Sequence, residues 1–123
     1  MITSLTDNQI FVFGSNLAGN HAGGAARQAL EQFGAEMGVA EGVTGQSYAF
    51  PTLDENFNKV SNTRLHYSRL KLYEAANTMP DKEFLLTKVG CGIAGFPEDK
   101  MKRLFTNAPK NIIKPEDWVD ARA

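Results

Sequence analysis

The stretch FGSNLAGNHAGGAARQAL, residues 13–30, decides the fold. It opens at the end of an apolar run, IFVFG (10–14), and passes four glycines within the eleven residues 14–24. It then changes to small and apolar residues at helical spacing. IFVFG is apolar on both faces, which predicts a buried central strand. From about Gly24, the positions Ala26, Leu30 and Phe33 share one helical face, and Gly34 suits the stop. Residues 14–24 are therefore read as a loop between a strand and a helix. Glycine loses more conformational freedom on folding than any other residue. A loop this rich in it needs a reason: either an awkward turn, or a partner that must approach bare backbone.

The same arrangement recurs further along. EGVTGQ (41–46) reads as a turn, and SYAFPT (47–52) predicts a second strand ending at Pro51. Residues 62–77 predict a helix, with Leu65, Arg69 and Leu72, or Leu70, Tyr73 and Asn77, as its spaced sets, closed by Pro80. EFLLTKVG (83–90) predicts a third strand, which runs into a second glycine-rich loop, GCGIAGF (90–96). Pro97 suits the first turn of a helix, and Glu98 and Asp99 complement its positive end. KNIIK (110–114) is a last short strand, and PEDWVDARA is a tail docked by Trp118. Strands alternating with helices predict an α/β fold with a largely parallel sheet.

At 123 residues, one domain spanning 1–123 is expected. A net charge of −1 argues against bulk nucleic-acid binding. The single cysteine, Cys91, allows no intramolecular disulfide and fits a reducing compartment. MITSLTDNQ lacks the basic start and apolar stretch of a signal peptide, and no apolar run approaches the roughly 18 residues of a membrane span. The expectation is a cytoplasmic protein with no membrane partner. No His, Cys or Asp spacing predicts a metal site, and no cofactor is expected.

In a parallel sheet, both glycine loops leave at the carboxyl edge, where α/β proteins bind ligands. Helix N-termini there present free N–H groups and positive partial charge. Two such loops could clamp a diphosphate. Neither carries the Gly-Lys-Ser/Thr of a Walker A loop.

These segments together resemble a known family. VFGSNLAGNHAGGAA (12–26) resembles the macrodomain signature in which a strand runs into Asn, Leu, a glycine-rich loop and a small-residue helix. FLLTKVGCGIAGFPEDKMKRLF (84–105) resembles the second macrodomain signature: a strand, a G-x-G-x-x-G loop and a helix. GVTGQSYAFPT (42–52) is similar to the macrodomain strand after the first helix. The GCG loop most resembles the branch that includes small ADP-ribosyl-glutamate and ADP-ribosyl-nucleoside hydrolases. The resemblance implies a compact three-layer α/β/α sandwich with a mostly parallel mixed sheet, and a cleft for ADP-ribose or a related nucleotide. It implies that Gly90, Cys91, Gly92, Ile93, Ala94, Gly95 and Phe96 wrap the diphosphate, with Phe96 against a ribose. Gly14, Ser15, Asn16, Leu17, His21, Gly23 and Gly24 would pass the distal ribose, with Asn16 reaching it.

Cleavage of an ADP-ribosyl bond needs a carboxylate to activate water, or a lysine to attack the anomeric carbon. Where one macrodomain class carries an Asp, this chain has Ala25 and Ala26. Where the lysine-using branch has its Lys, it reads Pro51-Thr52-Leu53-Asp54, and that branch's loop Asp is replaced by Ala94. Asp54, Glu55 and Lys88 are the remaining catalytic candidates. Cys91 reads as a small packing residue, while Tyr48, Phe50, Phe57 and Trp118 could stack on a base or serve the core. Three readings follow. The first is a module that binds an ADP-ribose-type nucleotide without efficient cleavage, for example a viral sponge for a defence signal. The second is an ADP-ribosyl hydrolase acting on a modified macromolecule. The third is an interaction protein with a degenerate pocket.

Overall fold

The computed structural model describes residues 2–119. The chain runs β1 (Gln9–Asn16), α1 (Gly24–Gln32), β2 (Gly42–Thr44), β3 (Ser47–Leu53), α2 (Asn62–Thr78), β4 (Glu83–Leu86), α3 (Glu98–Leu104) and β5 (Ile112–Ile113), with a 3-10 turn at Glu116–Trp118. The five strands form one mixed sheet in the order β2-β3-β1-β4-β5. All neighbours pair in parallel except β2 and β3.

Alternation along β1 divides the core between the two faces of the sheet. Phe11 and Phe13, with Ala49 of β3, pack on Ala26 and Ala29 of α1 and on Phe33. Ile10 and Val12, with Tyr48 and Phe50, pack on Leu65, Leu72 and Ala76 of α2 and on Met101 and Leu104 of α3. Each fully buried aromatic or aliphatic side chain contributes about 1.5–3 kcal/mol. Helices therefore lie on both faces of the sheet. No helix among the described residues is long and apolar enough to cross a membrane.

Several boundaries differ from the sequence reading. Residues 41–46 are not simply a turn: Gly42–Thr44 is an edge strand, and only Gly45 and Gln46 turn the hairpin onto β3. β1 continues past Gly14, so Ser15 and Asn16 belong to the strand, and a register shift between them marks where the chain peels away. β3 runs through Pro51 to Leu53. Proline is tolerated there because β2 pairs no further than Ala49, which leaves an unpaired strand edge beyond it. β4 stops at Leu86, so Lys88 lies after the strand. On α2 the buried seam is Leu65, Ser68, Leu72 and Ala76, and Leu70 is 58% exposed. Trp118 is buried as expected, stacked on Phe105 at 6.2 Å, and its indole N–H donates to Glu98 Oε1 at 2.9 Å.

β1 is central. The connection after it leads to α1 on one face, while the connection after β4 leads to α3 on the other. Diverging loops at the carboxyl ends of adjacent parallel strands open a crevice there.

Candidate functional site: a cleft between two glycine loops

That crevice is a cleft of about 500 Å³. Its walls are the end of β1, the residues leading into α1, Thr52 and Leu53 of β3, and the chain after β4 from Thr87 into the second glycine loop as far as Ala94. Of the residues singled out in the sequence, Gly14, Ser15, Asn16, Gly23, Gly24, Lys88, Gly90, Gly92, Ile93 and Ala94 line it. Phe57, one of the four aromatics offered for stacking, also lines it, as do Asn20, Thr52 and Thr87, which are not binding candidates in the sequence.

The other candidates lie elsewhere. His21 is fully buried, edge-on to Phe13 at 5.1 Å, with Nε2 3.0 Å from the Val39 carbonyl oxygen. It is part of the packing between the first loop and residues 37–40 rather than a wall of the cleft. Leu17 packs against the α2–α3 core and donates its N–H to the Leu53 carbonyl. Cys91 packs against the same core, and burial pushes its thiol pKa up, which suits a packing residue rather than a nucleophile. The Phe96 ring is turned inward, 3.0 Å from where a Cβ on Gly90 would stand, with the ammonium groups of Lys59 and Lys100 over it. Gly95 closes the loop with a left-handed φ of 74°.

The catalytic candidates are occupied as well. Asp54 Oδ1 accepts from the N–H groups of Asn56 and Asn58 at 2.9 and 3.0 Å, so its carboxylate builds a turn. Glu55 is exposed on that turn. The Lys88 ammonium lies 2.7 Å from Asp117 Oδ2 and 2.8 Å from Glu98 Oε1. Hydrogen bonds to Asp117 and then Glu98 hold its pKa well above the ordinary lysine value. Lys88 thus ties the second loop to α3 and the docked tail. Among the described residues, the cleft wall carries no Asp, Glu, His or Cys.

Most polar side chains of the wall are also turned to the protein, the exposed Asn20 side-chain amide excepted. Ser15 Oγ donates to the Ala40 carbonyl at 2.6 Å, and Thr87 Oγ1 to the Val12 carbonyl at 2.7 Å. Asn16 accepts from the Asn20 N–H and donates to the Asn20 carbonyl, at 3.0 and 2.8 Å, which shapes the first loop. The donors left for a ligand are mainly backbone. In the second loop, the N–H groups of Gly92, Ile93 and Ala94 meet no protein acceptor among the described residues. At α1 the N-cap is Gly23, which offers no side-chain cap, and no acid stands in the first turn. The leading N–H groups of a helix have no partner within it, so those of α1 are open to the cleft. At α3 the two acids Glu98 and Asp99 already occupy the first turn, and that helix end is not on the cleft. The expected pair of helix N-termini is therefore one N-terminus and one loop of amides.

The glycines separate into two kinds. Gly19 has a φ of 71°, and a Cβ there would stand 2.7 Å from the backbone of Gly38, so two chain segments could not meet with any other residue. Gly23 and Gly92 are different. Neither has a positive φ, and a Cβ on either would meet nothing within 4 Å. Both line the cleft.

Compared with known proteins, the chain matches no family model, no curated protein and no solved structure.

Proposed function

We propose that the chain binds an ADP-ribose-type nucleotide in the cleft between β1 and β4, with the diphosphate against the backbone of both glycine loops, and does not cleave it efficiently. The observation that carries this reading is the pair Gly23 and Gly92. One lies in each loop, both face the cleft, and nothing inside the protein requires glycine at either. A ligand that must touch bare backbone is a physical reason for both. Unpartnered amides suit an anion, and about 500 Å³ suits a small-molecule ligand. Two loops of this composition at the carboxyl edge, with helices on both faces of the sheet, support the macrodomain-like sandwich that the motifs suggest.

Binding is favoured over hydrolysis by the chemistry of the wall. General acid–base groups contribute about 10²–10⁴-fold, and the candidates Asp54 and Lys88 are held in a turn and an ion-pair network. The test is calorimetric titration with ADP-ribose. The chain is expected to bind, and Gly92→Glu is expected to remain folded and lose binding, since its carboxylate would occupy the diphosphate position. Unchanged affinity in that variant would remove the diphosphate from this loop. Multiple turnovers releasing ADP-ribose from a modified protein would replace the binder with a hydrolase.

A further inference from the structure

A second groove lies between α2 and α3, on the face of the sheet away from α1. It measures about 230 Å³ and shares no residue with the cleft. Its floor is apolar, made by Leu65 of α2 and by Met101 and Leu104 of α3. Its rim is basic. His66 stands on the α2 side, Lys100 and Arg103 stand on the α3 side, and no described Asp or Glu lines it. Helical spacing puts them there, since residues three or four apart share one side of a helix.

The sequence gathers positive charge at this place although the net charge of the chain is −1. From Lys59 to Tyr73 it holds Lys59, Arg64, His66, Arg69 and Lys71 and no acid. Arg64 is paired with Glu41 at 2.6 Å, whereas Lys59, Lys100 and Arg103 have no ion-pair partner among the described residues. Lys59 and Lys100 nonetheless converge: both ammonium groups lie over the Phe96 ring, 5.5 and 5.2 Å from its centroid. Lys100 also reaches Asn62 Oδ1 of α2 at 2.5 Å. Like charges gathered without a counter-charge repel one another, and an anion placed against them relieves that repulsion.

We propose that this groove docks a short acidic segment of a partner protein, with one apolar side chain on the floor and carboxylates against Lys100, Arg103 and His66. The volume fits a side chain better than a whole small molecule, whose pockets run to about 300–1,000 Å³. α3 has seven residues and is therefore about 10 Å long. That length matches about three residues of extended chain, enough for an apolar residue between two acids. Complementary charge of this kind steers encounter and rejects basic segments. A phosphate backbone would meet the cations but has no apolar group to offer the floor.

The probe is a fluorescent peptide of Asp and Glu around one central Leu, followed by anisotropy, with ADP-ribose titrated separately to report on the cleft. The chain is expected to bind the peptide, more weakly as salt rises, because Arg103 and His66 are exposed. Arg103→Glu and Lys100→Glu are each expected to weaken the peptide about tenfold or more and to leave the affinity for ADP-ribose unchanged. Replacing the peptide's Leu by Ser is expected to cost about tenfold as well. Thermal melts check both variants; where Lys100→Glu melts lower through loss of the Asn62 contact, Arg103→Glu decides. Absence of peptide binding by the parent overturns the proposal, as does unchanged affinity in a folded Arg103→Glu. Equal affinity for the Leu and Ser peptides removes the apolar anchor and overturns it too. A thymidine oligonucleotide of equal charge that binds more tightly than the peptide reassigns the groove to a phosphate backbone and overturns the peptide.

Discussion

Gly23→Ser separates stability from binding in one substitution. Gly23 is the N-cap of α1, with φ −148° and ψ 164°, an extended conformation open to any residue and the one a capping serine adopts. A Cβ placed there meets nothing within 4 Å. Gly24, the residue after it, has a left-handed φ of 61°, so the first turn does not start in regular helical geometry, and a serine hydroxyl that reaches one of its N–H groups gains at most a few tenths of a kcal/mol over glycine. Replacing glycine at a compatible position also reduces the freedom of the unfolded chain, worth about 0.4–1 kcal/mol. Together these amount to about 0.5–1.5 kcal/mol, or a rise in melting temperature of about 2–6 °C for a domain of this size. The hydroxyl that caps the helix competes for an amide proposed to hold the ligand, and the new Cβ stands in the cleft. Affinity for ADP-ribose is therefore expected to fall at least tenfold while the protein becomes more stable. Differential scanning calorimetry and isothermal titration on the same preparation measure both. A variant that melts higher and binds as tightly as the parent would refute the placement of the anion at α1. A variant that melts lower would refute the reading of Gly23 as free of internal constraint.

Two further outcomes follow from the packing. Gly19→Ala should destabilise the chain by more than about 2 kcal/mol, since its φ is 71° and its Cβ would stand 2.7 Å from Gly38 backbone; chemical denaturation measures it, and a change below about 0.5 kcal/mol would contradict the close approach. The docked tail should depend on pH. Hydrogen bonds from Lys88 hold the carboxyl groups of Glu98 and Asp117 below their ordinary values, and the Lys88 ammonium is held above its own. Depressed carboxyl groups contribute stability that is present above their unfolded values near pH 4 and lost as pH falls through the folded ones. The raised lysine contributes stability that is present below about pH 10 and lost as pH rises through its folded value. The emission of the sole tryptophan, Trp118, should therefore shift to the red below about pH 4, and Lys88→Gln should weaken that dependence. Emission that stays constant down to full acid unfolding would refute the clamp.

Much of the architecture was legible in local pattern. IFVFG is apolar on both faces because β1 is the middle of the sheet with a core on each side, and a run of that kind has few other uses. The α2 helix was readable at its start, where Ser61 caps the Arg64 N–H, and nearly so at its end. The alternation of strand, glycine loop and helix announced two loops at one edge, and both line the same cleft.

What the tertiary structure decided depends on neighbours distant in the chain. EGVTGQ became an edge strand because β3 was there to pair with it, and no local signal in three residues could say so. His21 is a ligand candidate in sequence, but Gly19 meeting Gly38 folds that loop onto residues 37–40 and buries it. Lys88 and Asp54 look like free charged groups near a cleft until Glu98, Asp117 and the turn amides of Asn56 and Asn58 claim them. The glycines make the same point. Their number is visible in the sequence, but whether each is needed by the backbone, by a neighbour or by neither depends on φ and on what lies within a few ångströms. A strand or helix is specified by residues a few positions apart, whereas a site is specified by which surfaces meet, and only the folded chain brings Gly23, Gly92 and Phe57 to one cleft.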